Sequence, residues 1–169
     1  GASLHQAVTG ELRHHGAGML ETVAAAARCD EYAYAPEVPE ELAAILTRAC
    51  AREPEARFQT VNELRDALLR FREHRAASSL VTTARARLQQ LEALARDPAQ
   101  ADYGRAQALF TETRFAFEQA REVWPEHPEA REGLSEAIAQ MVRFELALDH
   151  VDAAHALFES QPELTVAHT

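Results

Sequence analysis

The stretch VPEELAAILTRACAREPEARFQTVNELRDAL, residues 38–68, sets the reading of the whole chain. Pro39, Glu40 and Glu41 open a helix well. Proline loses nothing in a first turn, and two carboxylates face the positive end of the helix dipole. Leu42, Ile45, Leu46 and Ala49 then recur at helical spacing and form one apolar stripe. Glu53 and Pro54 end that helix. Further on, Thr60-Val61-Asn62-Glu63 is a capping box, the threonine serving the amide three residues ahead and the glutamate reaching back. The helix it starts carries Val61, Leu64, Leu68 and Phe71 on one face.

The same periodicity extends in both directions. A first helix runs to about Val8 and stops at Thr9-Gly10, and a second runs from about Ala17 to Arg28 with Leu20, Val23, Ala24 and Ala27 on one face. Beyond Arg72 nothing breaks helix strongly, although Ser78-Ser79 weakens it, and Leu80, Ala84, Leu88, Leu91 and Ala95 continue the pattern to Asp97-Pro98. Two longer helices follow. Phe110, Thr113, Phe117, Ala120 and Trp124 mark the first; Leu134, Ala137, Met141, Phe144 and Leu148 mark the second. A short helix with Val151, Ala154 and Phe158 closes before Pro162, and a loose tail is expected over 161–169. Strand-type alternation is rare, so the fold class is all-α.

Composition narrows the function. The 169 residues are 47% apolar and 26% charged, enough to bury a core, which excludes a disordered chain. No apolar run approaches the roughly 18 residues of a membrane-spanning helix, and none resembles a signal peptide. A net charge of −10 argues against nucleic acid or anionic lipid as the main partner. All 17 basic residues are arginine. Without lysine there is neither Schiff-base chemistry nor a lysine contact to a nucleotide phosphate. Cys29 and Cys50 lack CxxC spacing. The sequence is compatible with one disulfide between them, and two buried thiols in a reducing cytoplasm are the expectation. His14-His15 with His5 nearby has no acid or cysteine at ligand spacing, so no metal is assigned. The acidic balance is uneven: residues 1–75 hold nine arginines and twelve acids, whereas 76–169 hold eight and fifteen. That shift, with Ser78-Ser79, places the domain boundary near Ala76 and divides the chain into 1–76 and 77–169.

The quoted stretch resembles the last two helices of the C-lobe of a bacterial eukaryotic-type serine/threonine protein kinase. Between those helices the family writes an acid, a proline, two variable residues and an arginine; here that is Glu53-Pro54-Glu55-Ala56-Arg57. Residues 1–10 are similar to the second half of the central C-lobe helix, with Val8 where the family has leucine. Residues 17–28 match the place of the next helix, which docks substrates or partners in many kinases, and Met19, Leu20 and Val23 are its candidate docking residues. The preceding loop departs from the family's proline-phenylalanine wording. The glycine-rich loop, strand lysine, catalytic Asp with its Asn, and metal-binding Asp of this chemistry belong upstream in the family. No catalytic, cofactor-binding or metal residue is therefore assigned in this chain, which is not catalytically competent alone. ATP and magnesium are expected for a parent kinase only, and the opening at Gly1 in mid-pattern reads as a piece of something longer.

By the same resemblance Arg57 is the arginine that pairs with a buried glutamate of the activation segment. A buried arginine without that partner costs several kcal/mol. Arg57 is thus expected to be solvent-exposed, or paired with Glu11, Glu53 or Asp66. The half helix at Gly1 to Thr9 is expected to be poorly anchored or to engage another chain. Residues 77–169 resemble tetratricopeptide-type repeats in an antiparallel helical hairpin array. Phe117, Ala120 and Pro125 match the back half of one repeat and Pro128 to Ile138 the front half of the next. Thr113 stands where a small alanine is usual, and the helix after Pro128 is long for the period. Such repeats bind peptides or partner helices, while Phe110, Phe117 and Trp124 are expected in the core. The implied role is scaffold and partner binding within a kinase. The alternative is a non-catalytic helical-repeat adaptor.

Overall fold

The structure, a computed structural model, describes residues 1–159. Among them are seven α-helices, one 3-10 turn and no strand: α1 (Ala2–Thr9), α2 (Met19–Arg28), α3 (Glu40–Ala49), the turn Pro54–Ala56, α4 (Val61–Leu94), α5 (Tyr103–Val123), α6 (Pro128–Ala147) and α7 (Val151–Glu159). The loose tail expected over 161–169 lies outside the described residues. The chain forms two compact units, Gly1–Arg72 and Glu73–Thr169, divided inside α4.

α4 is one uninterrupted helix through Ser78-Ser79. Thr82 and Thr83 Oγ1 donate to the carbonyls of Ser78 and Ser79 at 3.0 and 3.1 Å, so these hydroxyl-bearing residues bond along the helix instead of breaking it. The first unit takes α1, α2, α3 and the start of α4. Its buried apolar side chains, among the described residues, are Ile45, Leu46 and Ala67, of which Leu46 is fully buried. α1 packs on α3. The backbone of Gly1 lies so close to the end of α3 that a Cβ there would fall 2.3 Å from the Ala49 carbonyl oxygen. His5 is fully buried, so α1 is anchored in this unit, against the expectation for it. The hold is narrow, because Ala2, Ser3, Gln6 and Ala7 remain exposed.

The second unit closes a continuous core. Val81, Leu88 and Leu91 of α4, Leu109, Phe110 and Phe117 of α5, and Leu134, Ile138, Met141 and Phe144 of α6 all belong to one buried cluster. Burying one such side chain contributes about 1.5–3 kcal/mol. α5 packs on α6 and α6 on α7, and the short connection at Trp124–His127 makes α5 and α6 antiparallel neighbours. Phe110 and Phe117 are core, as expected. Trp124 is half-buried, its ring stacked on His74 with centroids 4.0 Å apart. Arg87 pairs with Glu112 at 2.9 Å, and Arg85 pairs with Glu136. Glu145 is fully buried yet satisfied. It accepts from Tyr103 Oη at 3.0 Å and Gln107 Nε2 at 2.8 Å, and lies 2.8 Å from His150 Nδ1. The Thr113 hydroxyl is buried without a partner.

Gly133, in the first half of α6, is a point of close approach between α5 and α6. A Cβ there would fall 2.3 Å from Cζ of Phe117, itself fully buried. The methyl group of Gly133→Ala therefore has no room, and overpacking of about 1–3 kcal/mol outweighs the roughly 1 kcal/mol that alanine adds to helix propensity. Urea unfolding followed by Trp124 fluorescence should show Gly133→Ala less stable than the native protein. A variant as stable or more stable would contradict this packing.

Candidate functional site

The corner between α3 and α4 is built almost entirely from local hydrogen bonds. Cys50 caps α3, its amide donating to the Leu46 and Thr47 carbonyls. The next carbonyls, of Ala51 and Arg52, point outward and would be left to water. Arg57 closes both: its Nε donates to Ala51 O at 2.7 Å and its Nη2 to Arg52 O at 3.0 Å. Gln59 Nε2 donates to the carbonyls of Pro54, Glu55 and Arg57 at 2.9–3.1 Å. The capping box forms in one direction as expected, with Glu63 N donating to Thr60 Oγ1 at 3.1 Å. In the other direction the Glu63 carboxylate accepts from Gln59 N at 3.1 Å, one residue earlier than expected. Gln59 is pinned on the 3-10 turn by its side chain, which holds its amide in front of the first turn of α4.

Arg57 is exposed. The carboxylates considered for it are engaged elsewhere: Glu11 accepts from Tyr32 Oη at 3.1 Å, Glu53 lies 3.9 Å from Arg52, and Asp66 lies 2.9 Å from Arg65. Arg48, one turn before the corner, sits over the Phe58 ring at 4.2 Å.

α2 presents its apolar face outward. Met19 and Leu20 are each 86% exposed and Val23 58%, and no residue of α2 is buried. The helix is fixed by its polar ends instead, the Glu21 carboxylate accepting from Ala17 N at 2.7 Å and Thr22 Oγ1 donating to Gly18 O at 3.1 Å. Met19, Leu20 and Val23 form one face, and none of them lines the cavity at the C-terminal ends of α2 and α3.

That cavity, of about 550 Å³, lies between the end of α2, the irregular stretch after it and the end of α3. Beside it is a cluster that sequence reading missed. His5 Nδ1 is 3.1 Å from Tyr34 Oη, and the Tyr32 ring meets the His5 ring edge-on with centroids 4.5 Å apart. Arg13 stands 5.8 Å from the centre of the Tyr32 ring and donates to Asp30 O at 2.5 Å. The only signal in the sequence was the spacing of Tyr32 and Tyr34, which puts both on one side of an extended segment. His5 Nε2 is buried without a partner. Burial first, and the nearby Arg13 second, hold the His5 pKa below the ordinary histidine value of 6.5, and the same two causes lower that of His14. Burial raises the Tyr34 pKa, with Cys50 as a smaller cause. The two cysteines are free and only partly buried, because each caps the C-terminus of a helix at the cavity wall and not in the apolar interior expected for them.

The residues present do not fit ATP and magnesium. The chain has no lysine to hold a phosphate, and among the described residues no three His, Cys, Asp or Glu side chains come together to hold a metal ion. No described helix is long and apolar enough to cross a membrane. Compared with family models, curated proteins and solved structures, the chain has no match.

Two outcomes follow from these geometries. Arg57→Ala leaves two carbonyls unclosed at the corner and should cost about 1 kcal/mol in urea unfolding, with Arg57→Lys recovering only part because it cannot fork across both oxygens; an unchanged midpoint would contradict the clamp. The lowered pKa values of His5 and His14 mean that, just below pH 6.5, the unfolded chain takes up protons that the folded unit resists. Stability is then constant above that pH and falls as pH drops through the window beneath it. Tyrosine near-ultraviolet dichroism of the first unit should show this loss between about pH 7 and pH 5, and His5→Asn should flatten it. A native protein equally stable across that range would contradict the burial of a neutral imidazole.

Proposed function

We propose that residues 1–76 are the closing part of the C-lobe of a bacterial serine/threonine protein kinase, and that residues 77–169 are a tetratricopeptide-like helical region. In this reading the parent transfers a phosphoryl group from ATP with magnesium in the cytoplasm. This piece scaffolds that lobe and recruits protein partners through helical surfaces, with Met19, Leu20 and Val23 as the docking residues on α2. The observation that carries the reading is unequal burial. Among its described apolar residues the first unit buries only Ile45, Leu46 and Ala67 while exposing Leu12, Met19, Leu20, Val23 and Val61, as a lobe missing its covering segments would. The arginine at the end of Glu53-Pro54-Glu55-Ala56-Arg57 adds support, since it stands at a helix–helix corner as the family's arginine does.

The second reading is a non-catalytic helical-repeat adaptor. It is favoured by the closed core of the second unit. The two part on one experiment. The coding region upstream of Gly1 is sequenced, and the longer polypeptide it specifies is assayed with labelled ATP and magnesium beside the present chain. A kinase parent carries His-Arg-Asp and Asp-Phe-Gly type motifs in the preceding hundred or so residues and labels serine or threonine of an acceptor protein, while the chain alone labels none. An upstream region without those motifs, or a longer protein without transfer, would leave the adaptor.

A further inference from the structure

We propose that Cys29 and Cys50 are a dithiol modification site, which a low-molecular-weight disulfide such as oxidised glutathione converts to one disulfide bond inside the first unit. The inference is independent of any kinase parentage. These are the chain's two cysteines, and the fold brings both to one cavity from different helices: Cys29 caps α2 and Cys50 caps α3. Cys29 Sγ donates to the carbonyl oxygen of Cys50 at 3.1 Å. The sulfur therefore already rests against the main chain of its partner.

A further feature supports the site. Cys29 holds φ 48° and ψ 50°, the left-handed region that helix ends usually give to glycine or asparagine. A thiol kept in a strained backbone position points to use of the thiol.

The exchange balances. One cysteine thiolate attacks a sulfur of glutathione disulfide, forming a mixed disulfide and expelling one glutathione thiolate. The second cysteine thiolate attacks the protein sulfur of that mixed disulfide and expels the other glutathione. Two protein thiols become one disulfide, glutathione disulfide is reduced to two glutathiones, and the two thiol protons end on the released thiolates. The bond would tie the end of α2 to the end of α3. In a reducing cytoplasm it would be transient, as intracellular disulfides of the sensing kind are.

The test treats the native chain with oxidised glutathione over a range of redox ratios, then alkylates and digests it with trypsin without reduction. The expected product is the peptide 29–48 linked to the peptide 49–52, with both free thiols lost and no glutathione retained. Cys29→Ser and Cys50→Ser should each instead keep one glutathione. In urea, where only chance brings the thiols together, the equilibrium for closing the bond should fall at least about tenfold. A native chain that stays reduced, that keeps glutathione on either cysteine, or that closes the bond equally well in urea would overturn the proposal.

Discussion

Just beyond the end of α3 the carbonyls of Ala51 and Arg52 must find donors, and the guanidinium of Arg57 supplies them at 2.7 and 3.0 Å. Much of the first unit depends on that closure. It sets how α3 turns into the 3-10 turn and then into α4, and so brings Ile45 of α3 and Ala67 of α4 to one groove. Little else holds the unit from inside. The remaining buried contacts are Leu46 and the imidazole of His5. Local hydrogen bonds thus do in the first unit what apolar packing does in the second. A structure held this way is specified at its corner and weak in its interior.

Buried polar groups are satisfied unevenly, and the second unit too leaves the Thr113 hydroxyl and His127 Nδ1 without partners. Glu145 in the second is surrounded by a phenol, an amide and an imidazole, so both of its carboxyl oxygens have partners. His5 in the first has one ring nitrogen facing Tyr34 and the other without a partner. The imidazole is therefore kept neutral by its surroundings. Arg13 adds to this, standing close enough to oppose a second positive charge. An apolar helix face on α2 turned to solvent, an arginine-lined cavity and a half-satisfied histidine all fall in the same unit. Each is a surface or a group that a partner or reagent could complete.

Much of this was legible in the sequence where the signal is local. Periodicity located the helices, and the stripe from Phe110 through Ala120 marked the core face of α5, because a buried helix repeats its apolar residues at three and four. Thr60 and Glu63 announced the start of α4, missing by one residue where the glutamate would reach. Contacts distant along the chain were not legible. His5 and Tyr34 are 29 residues apart, and nothing in either neighbourhood names the other. Gly133 lies within the helix expected after Pro128, and nothing in its neighbourhood names the Phe117 ring that sits against it. The cysteines looked buried because their neighbours are apolar, but a helix C-cap lies at the edge of that apolar stretch. Met19, Leu20 and Val23 could be read as a face, while which side of the molecule it occupies came only with the fold.

The central claim is that the second unit is held by an extensive core, whereas the first buries few apolar side chains. Native-state amide hydrogen exchange measures this directly, because protection reports the free energy of local opening. The amides of Ile45 and Leu46 in α3 should exchange at least about tenfold faster, after correction for intrinsic rates, than those of Ile138 and Met141 in α6. Equal protection of the two helices would mean that the first unit is as complete as the second, and the account would be wrong.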